Sequence, residues 1–166
     1  AIIVTSAERA KDCKSRPVYI KGLVSREMHP HSHYWTDLTQ VAADYVGERI
    51  YESAGIKPED LHVASIYDCY SWVVLRQLEA YKIAPREGLG EFVTQGNLKM
   101  GGKLPSNTAG GMLSEGYTHG MNNVLEITRQ LRHEYKGTER QVEECELGLC
   151  TGWLGPDGAG ALILSN

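Results

Sequence analysis

Two tyrosines stand in segments whose composition suits chemistry. Tyr67 lies in Ile66-Tyr-Asp-Cys-Tyr-Ser71, and Tyr117 lies in Asn107-Thr-Ala-Gly-Gly-Met-Leu-Ser-Glu-Gly-Tyr-Thr-His-Gly120. A phenol has a reference pKa of about 10; it can hold a proton or, where its surroundings favour the phenolate, accept one. The pair suggests acid/base work by phenols rather than a histidine-activated thiol. Asp68, Cys69, Asn107, Gly110, Gly111 and His119 are the candidate supporting and substrate-binding residues. Asn107 and His119 are placed to hold a loop or polarise a substrate, and Asp68 to cap the following helix or orient a neighbour. The chain has nine tyrosines, and a tyrosine is more often a packing or surface residue than a proton carrier. Residue type alone leaves both readings open.

The elements around these loops follow from periodicity. Pro17–Val24 reads as a strand. Leu38, Val41, Ala42, Tyr45 and Val46 recur at helical spacing, with Thr36 or Asp37 as cap and Gly55 as stop. Leu61–Ile66 reads as a strand ending at Tyr67. Ser71–Lys82 reads as a helix with Trp72, Leu75 and Leu78 among its apolar positions. Residues 83–105 are rich in glycine and charge. Met121–Arg132 forms another helix, and Val142–Cys150 and Gly160–Leu164 the last two strands. The order predicts an α/β fold, a mixed sheet covered by helices. Both tyrosine loops fall before helices, whose first N–H groups are unpaired and partly positive. Such donors could face a substrate oxygen.

Apolar residues make up 42% and charged residues 23% of 166, as in ordinary globular chains, and the net charge of -4 disfavours nucleic acid as a partner. No apolar run is long enough to span a bilayer. Cys13, Cys69, Cys145 and Cys150 show no CxxC pairing and read as reduced thiols of a cytoplasmic protein. His29, His31 and His33 form an H-x-H-x-H run, but no carboxylate or cysteine completes a familiar metal spacing, and Pro30 disfavours a regular strand. The paired glycines at 101–102 and 110–111 lack the Lys-Ser/Thr of a phosphate loop. No metal or separate cofactor is expected. At the other end, Ala1–Thr5 reads as a buried strand and Ser6 as the cap of a short helix. A chain opening inside a sheet is expected to be the downstream part of something longer.

Three motifs then carry a resemblance. Ala54-Gly-Ile-Lys-Pro-Glu-Asp60, a strand, and Tyr67-Asp-Cys-Tyr-Ser71 resemble the "AGI-x-PED … HDCF" of the thiolase superfamily, in its sterol-carrier or lipid-transfer branch. Gly102-Lys-Leu-Pro-Ser-Asn-Thr-Ala-Gly-Gly111 resembles its "GG-x-LP-x-N-x-x-GG", and Gly116-Tyr-Thr-His-Gly120 stands where it has "GHP-x-G". Both histidines of those motifs are tyrosines here, Tyr67 and Tyr117. A phenol replaces imidazole poorly in activating a thiol at neutral pH. The "YDCY" and "GYTHG" pair is similar to the thiolase-fold acyl-CoA aldolases of bacterial steroid side-chain degradation.

That resemblance implies a C-terminal thiolase-like domain over 16–166, with 1–15 as the tail of an N-terminal half. It implies retro-aldol cleavage of a β-hydroxyacyl-CoA, with a steroid-like acyl group, to a ketone and a short acyl-CoA such as propionyl-CoA. Tyr67 and Tyr117 take the catalytic positions, and CoA belongs to the substrate. The matching cysteine of related thiolases makes Cys69 a candidate acid/base thiol, although an aldolase suits a small buried residue there better. Cys150 reads as structural. The implied partners are an N-terminal thiolase half, a second copy in a homodimer, and an OB-fold acyl-CoA-associated protein. Nucleic acid and membrane insertion are not expected. The alternatives are a thiolase-type acyltransferase and a non-catalytic acyl-CoA-binding subunit.

Overall fold

A computed structural model describes residues 2–28 and 39–166. The regular elements are α1 (Ala7–Ala10), β1 (Tyr19–Glu27), α2 (Ala42–Ala54), β2 (Val63–Ser65), α3 (Ser71–Ala80), α4 (Leu89–Thr94), α5 (Met121–Leu131), β3 (Leu147–Leu154) and β4 (Gly158–Ser165). The strands form one sheet in the order β1-β4-β3-β2. β4 runs antiparallel to both neighbours, and β2 runs parallel to β3. The mixed α/β sheet expected from the sequence is therefore present.

Each face has its own core. Alternation along β4 sends Ala159, Ala161 and Ile163 toward α2, where they meet Val46, Ile50 and Leu149. Leu164 points the other way, with Val63, Ile127, Leu131 and Cys150 beneath α5. Helix α5 packs over β2 and β3, touches β4 less, and leaves β1 outside its main contacts. On that open side Leu23 pairs with Leu162, and Leu23 is 61% exposed.

Several boundaries differ from the sequence reading. Helix α2 starts at Ala42, because the Asp44 carboxylate reaches back to accept the Val41 N–H at 2.9 Å. Thr36, Asp37 and Leu38 lie outside the described residues, as do His29, His31 and His33. Gly55 ends α2 in the left-handed region, at φ 67°. The last strands form a tighter hairpin than expected, with Trp153 and Leu154 inside β3. Residues 2–5 are not a buried strand: they form no regular element and Ile3 and Val4 are exposed. Among the described residues their apolar run finds no pairing strand, and a strand is stable only against a neighbour. Ser6 does cap α1, accepting the Arg9 N–H at 3.4 Å.

Helix α3 turns a different face inward than its large apolar residues suggest. Val73, Gln77, Leu78 and Ala80 are buried, whereas Trp72 and Leu75 are largely exposed. Trp72 instead packs edge-on against Trp153, with ring centroids 5.9 Å apart. The end of α3 meets α2 at Gly47, where an added Cβ would fall 2.0 Å from the Ala80 carbonyl oxygen. Backbone cannot yield there as a side chain can. Gly47→Ala should destabilise the protein by about 1–3 kcal/mol, read as a lower urea midpoint. An unchanged midpoint would contradict this close approach.

Candidate active site

The period of two along β2 decides where Tyr67 points. Val63 belongs to the core beneath α5, and Ala64 and Ile66 to the opposite core. Tyr67 continues the alternation toward the α5 side. Its ring lies beside Gly120, where an added Cβ would be 3.4 Å from a ring carbon. The backbone of Tyr67 is held at both ends. Its N–H donates to Thr151 Oγ1 at 3.0 Å, and the Thr151 hydroxyl donates to Gln77 Oε1 at 2.6 Å. Gln77 Nε2 donates to the Tyr67 carbonyl at 2.7 Å, closing the ring of bonds. Sequence reasoning missed Gln77 and Thr151. The available signal was a glutamine on the same helical face as Val73 and Ala80.

Asn107 ties the second loop to the first. Residues 105–107 run beside β2: the Ala64 N–H donates to the Pro105 carbonyl at 3.0 Å, and the Asn107 N–H to the Ala64 carbonyl at 2.9 Å. At the next step the backbone turns away, with Asn107 at φ 52°. Its side-chain amide takes over. Oδ1 accepts the Ile66 N–H at 2.7 Å, and Nδ2 donates to the Ile66 carbonyl at 3.0 Å. Asn107 thus bonds its loop to Ile66.

Asp68 faces this loop. Its carboxylate accepts the Met112 N–H, with oxygens 3.2 and 3.3 Å away. Gly111, at φ 74°, passes so close that a Cβ there would lie 1.9 Å from Asp68 Oδ2. Gly110 has the same left-handed backbone, at φ 92°. Asp68 thus orients a neighbour and does not cap α3, whose N-cap Tyr70 has no side-chain capping bond. Cys69 is partly buried, and burial raises its pKa above the usual thiol value against backbone hydrogen bonds that lower it. Cys150 is buried within the α5-side core, and burial pushes its thiol up to about 12.

The two loops bring the phenols together. The hydroxyls of Tyr67 and Tyr117 are hydrogen-bonded to each other. The rings meet edge to face, with centroids 6.4 Å apart. His119 lies edge-on to Tyr117 at 4.8 Å. Tyr67 is 4% exposed and Tyr117 is 54% exposed. Burial raises the Tyr67 pKa well above the ordinary phenol value, and the bond to Tyr117 and nearby negative charge raise it further. The pair is therefore asymmetric: a buried phenol that keeps its proton touches a phenol in contact with water.

An apolar cleft of about 330 Å³ lies between His119 and Gly120 on one side and Leu23, Val124 and Leu162 on another; neither tyrosine lines it. A larger cleft of about 480 Å³, lined by Leu61, Lys82 and Lys103, lies past the opposite end of β2 and includes neither tyrosine. The N–H donors expected at the start of α5 are already engaged. Met121 N–H donates to the Thr118 carbonyl at 3.2 Å, and Asn122 N–H to Thr118 Oγ1 at 3.2 Å. Thr118 serves as an internal cap, so these groups do not face a substrate. Among the described residues no three His, Cys, Asp or Glu side chains cluster as a metal site would require.

Buried phenols give a pH signature. Tyr51, Tyr67 and Tyr81 all have raised pKa values, each chiefly through burial. The folded state therefore holds these protons after the unfolded chain releases them, and its stability falls as pH rises past about 10. Phenolate absorbance should show Tyr51, Tyr67 and Tyr81 ionising only with unfolding. Reversible ionisation of every tyrosine near the ordinary value in the folded protein would contradict their burial.

Comparison with known proteins agrees with this fold. The profile of the thiolase C-terminal domain-like family matches residues 25–165. A steroid side-chain-cleaving aldolase of Thermomonospora curvata is 36% identical over 137 residues, which are 80% of this chain and 35% of that protein. A 17-hydroxy-3-oxo-4-pregnene-20-carboxyl-CoA lyase of Mycobacterium tuberculosis is 38% identical over 137 residues, 80% of this chain and 36% of the lyase. The solved structure of an Ltp2-ChsH2(DUF35) aldolase superposes with a TM-score of 0.85 at 33% identity, covering 96% of this chain and 42% of the solved one. The chain thus spans about a third of the length of these curated relatives.

Proposed function

Because the chain belongs to the thiolase C-terminal domain-like family, we propose that it supplies the phenol pair of an acyl-CoA aldolase. The reaction is retro-aldol cleavage of a β-hydroxyacyl-CoA with a steroid-like acyl group. Its products are a ketone and a shortened acyl-CoA such as propionyl-CoA. The observation that carries this reading is the hydroxyl-to-hydroxyl bond between Tyr67 and Tyr117. Relatives named for steroid side-chain and pregnene-carboxyl-CoA cleavage support the substrate class.

The asymmetry of the pair supports one division of roles. Tyr117, exposed, takes the proton of the β-hydroxyl as its phenolate. Tyr67 stays protonated and donates to that phenolate, which lowers the cost of forming it. The alkoxide electrons close to a ketone, the Cα–Cβ bond breaks, and its electron pair passes to Cα and the thioester oxygen as an enolate. The proton that Tyr117 accepted then returns to Cα, so protons balance without an outside donor. His119, beside Tyr117, is the side chain placed to polarise the thioester. Asp68, Asn107, Gly110 and Gly111 shape the loop, and Cys69 remains a neutral thiol at its edge. CoA enters as part of the substrate, and no separate cofactor is assigned.

An N-terminal thiolase-like half, of which 1–15 would be the tail, is the proposed cover for the open side of β1 and β4. A homodimer and an OB-fold acyl-CoA-associated partner complete the proposed assembly, in the cytoplasm. The two-component aldolase among the solved structures supports such a partner. Among the described residues no helix is long and apolar enough to cross a membrane.

The complete enzyme, incubated with a β-hydroxyacyl-CoA and no free CoA, should release a ketone and a shortened acyl-CoA. Cleavage that requires free CoA would instead indicate thiolase-type transfer. Tyr67→Phe and Tyr117→Phe should each lower turnover by about 10²–10⁴-fold while the fold, read by circular dichroism, is kept. Near-normal rates in either variant would remove that phenol from the mechanism.

A further inference from the structure

We propose that the ion pair of buried Glu126 with half-buried Arg140 is a positioning device that braces the tyrosine-bearing loop at Thr108 and at Glu115. Glu126 lies in α5 and is 3% exposed. Its Oε2 accepts from Arg140 Nη2 at 2.5 Å and from the Tyr135 hydroxyl at 2.7 Å. Its Oε1 accepts from the Thr108 hydroxyl at 2.5 Å, from Gln130 Nε2 at 3.2 Å and from Arg140 Nε at 3.3 Å. Thr108 directly follows Asn107, the residue that clamps Ile66. The same Arg140 Nη2 lies 3.7 Å from Glu115 Oε1. Glu115 stands two residues before Tyr117. One carboxylate–guanidinium pair therefore reaches both ends of the loop that runs from Asn107 to Tyr117.

The loop needs such bracing. Asn107, Gly110, Gly111, His119 and Gly120 all have positive φ, so much of this segment departs from regular structure. Few of its backbone groups are held by a ladder. A buried charge is costly unless fully paired, and well-packed apolar side chains commonly serve a core as well. Glu126 is nevertheless held as a carboxylate: burial raises its pKa, and the bonds from Arg140, Thr108, Tyr135 and Gln130 outweigh that and lower it. Gln130 adds rigidity, donating to Thr108 Oγ1 at 3.1 Å and accepting the Val142 N–H at 3.0 Å. The brace is thus anchored in α5 and in the turn that leads to β3.

Its role differs from that of a catalytic residue, because neither Glu126 nor Arg140 is in the phenol pair. It acts through the distance between the two hydroxyls. Reactions of this kind are sensitive to misplacement of about 1 Å, which can cost ~10²-fold in rate.

The inference rests on the aldolase reading for its kinetic readout only. Truncating Glu126 would strip the half-buried Arg140 guanidinium of its main partner and open a hole in the core, so the test uses the arms. In the complete enzyme, Thr108→Val removes the hydroxyl at equal size, Thr108→Ser keeps it, and Glu115→Gln weakens the second arm at a half-buried position. Thr108→Val should lower kcat about 10–100-fold with KM within about twofold of the parent, Thr108→Ser should restore most of the rate, and Glu115→Gln should lower kcat a few-fold. Equal rates for Thr108→Val and the parent, or equal losses in the Val and Ser variants, would overturn the brace. Amide hydrogen exchange over 109–120 gives a readout that needs no turnover. Thr108→Val and Glu115→Gln should speed exchange there and Thr108→Ser should not; unchanged exchange in both of the first two would overturn it. If the parent fails to cleave β-hydroxyacyl-CoA, the aldolase reading falls and the exchange result alone decides the brace.

Discussion

The side-chain amide of Asn107 is the joint on which the site depends. β2 is only three residues long, and its outer edge is covered by residues 105–107 rather than by a long strand. A parallel ladder would next require another backbone peptide opposite Ile66. The chain instead turns sharply at Asn107, and the amide presents one acceptor and one donor at the place that peptide would occupy. This lets the backbone leave the sheet without stranding the polar groups of Ile66, which would otherwise lack partners near a buried edge. It also couples two segments far apart in sequence. Tyr67 follows the clamped residue, and the loop to Tyr117 departs from the clamping one.

From that joint the difference between the phenols follows. Strand alternation carries Tyr67 inward against Gly120, while the loop returns over the top and leaves Tyr117 in contact with water. Burial penalises the charged form of a phenol and water relieves that penalty. One hydrogen bond then links a buried phenol whose pKa is raised to a phenol on the surface. Around this pair the supports are polar: buried Gln77 with Thr151 on one side of the sheet, and buried Glu126 with half-buried Arg140 on the other. Each satisfies its donors and acceptors internally, which is the condition for placing such groups in a core.

Much of the framework was legible along the chain. Helical spacing through Ala42, Tyr45 and Val46 with a stop at Gly55 located α2, and the pattern after Gly120 located α5. The loops flagged by Tyr67 and Tyr117 are the ones that meet. Other features were hidden because periodicity reports amphipathicity and not partners. In α3 the large residues Trp72 and Leu75 suggested the inner face, yet Trp72 is satisfied by Trp153, and the small and polar Val73, Gln77 and Ala80 fit the tight space against the sheet. Glu126 and Gln130 look like the wet side of α5, and only Arg140, Thr108 and Gln141 explain their burial. The opening residues, apolar enough for a strand, meet no edge to pair with among the described residues.

Residue order by itself determined the alternation of elements, the glycine positions where the backbone must turn left, and the exchange of imidazole for phenol at two motif positions. Those are local properties, set by side-chain period and backbone sterics within a few residues. Tertiary structure decided that Tyr67 and Tyr117 share a hydrogen bond, that only one of them is buried, and that Thr118 occupies the N–H groups at the head of α5. Proton affinity and donor availability depend on which distant groups and how much water surround an atom. That environment exists only once the sheet register and the Asn107 joint have brought the loops together.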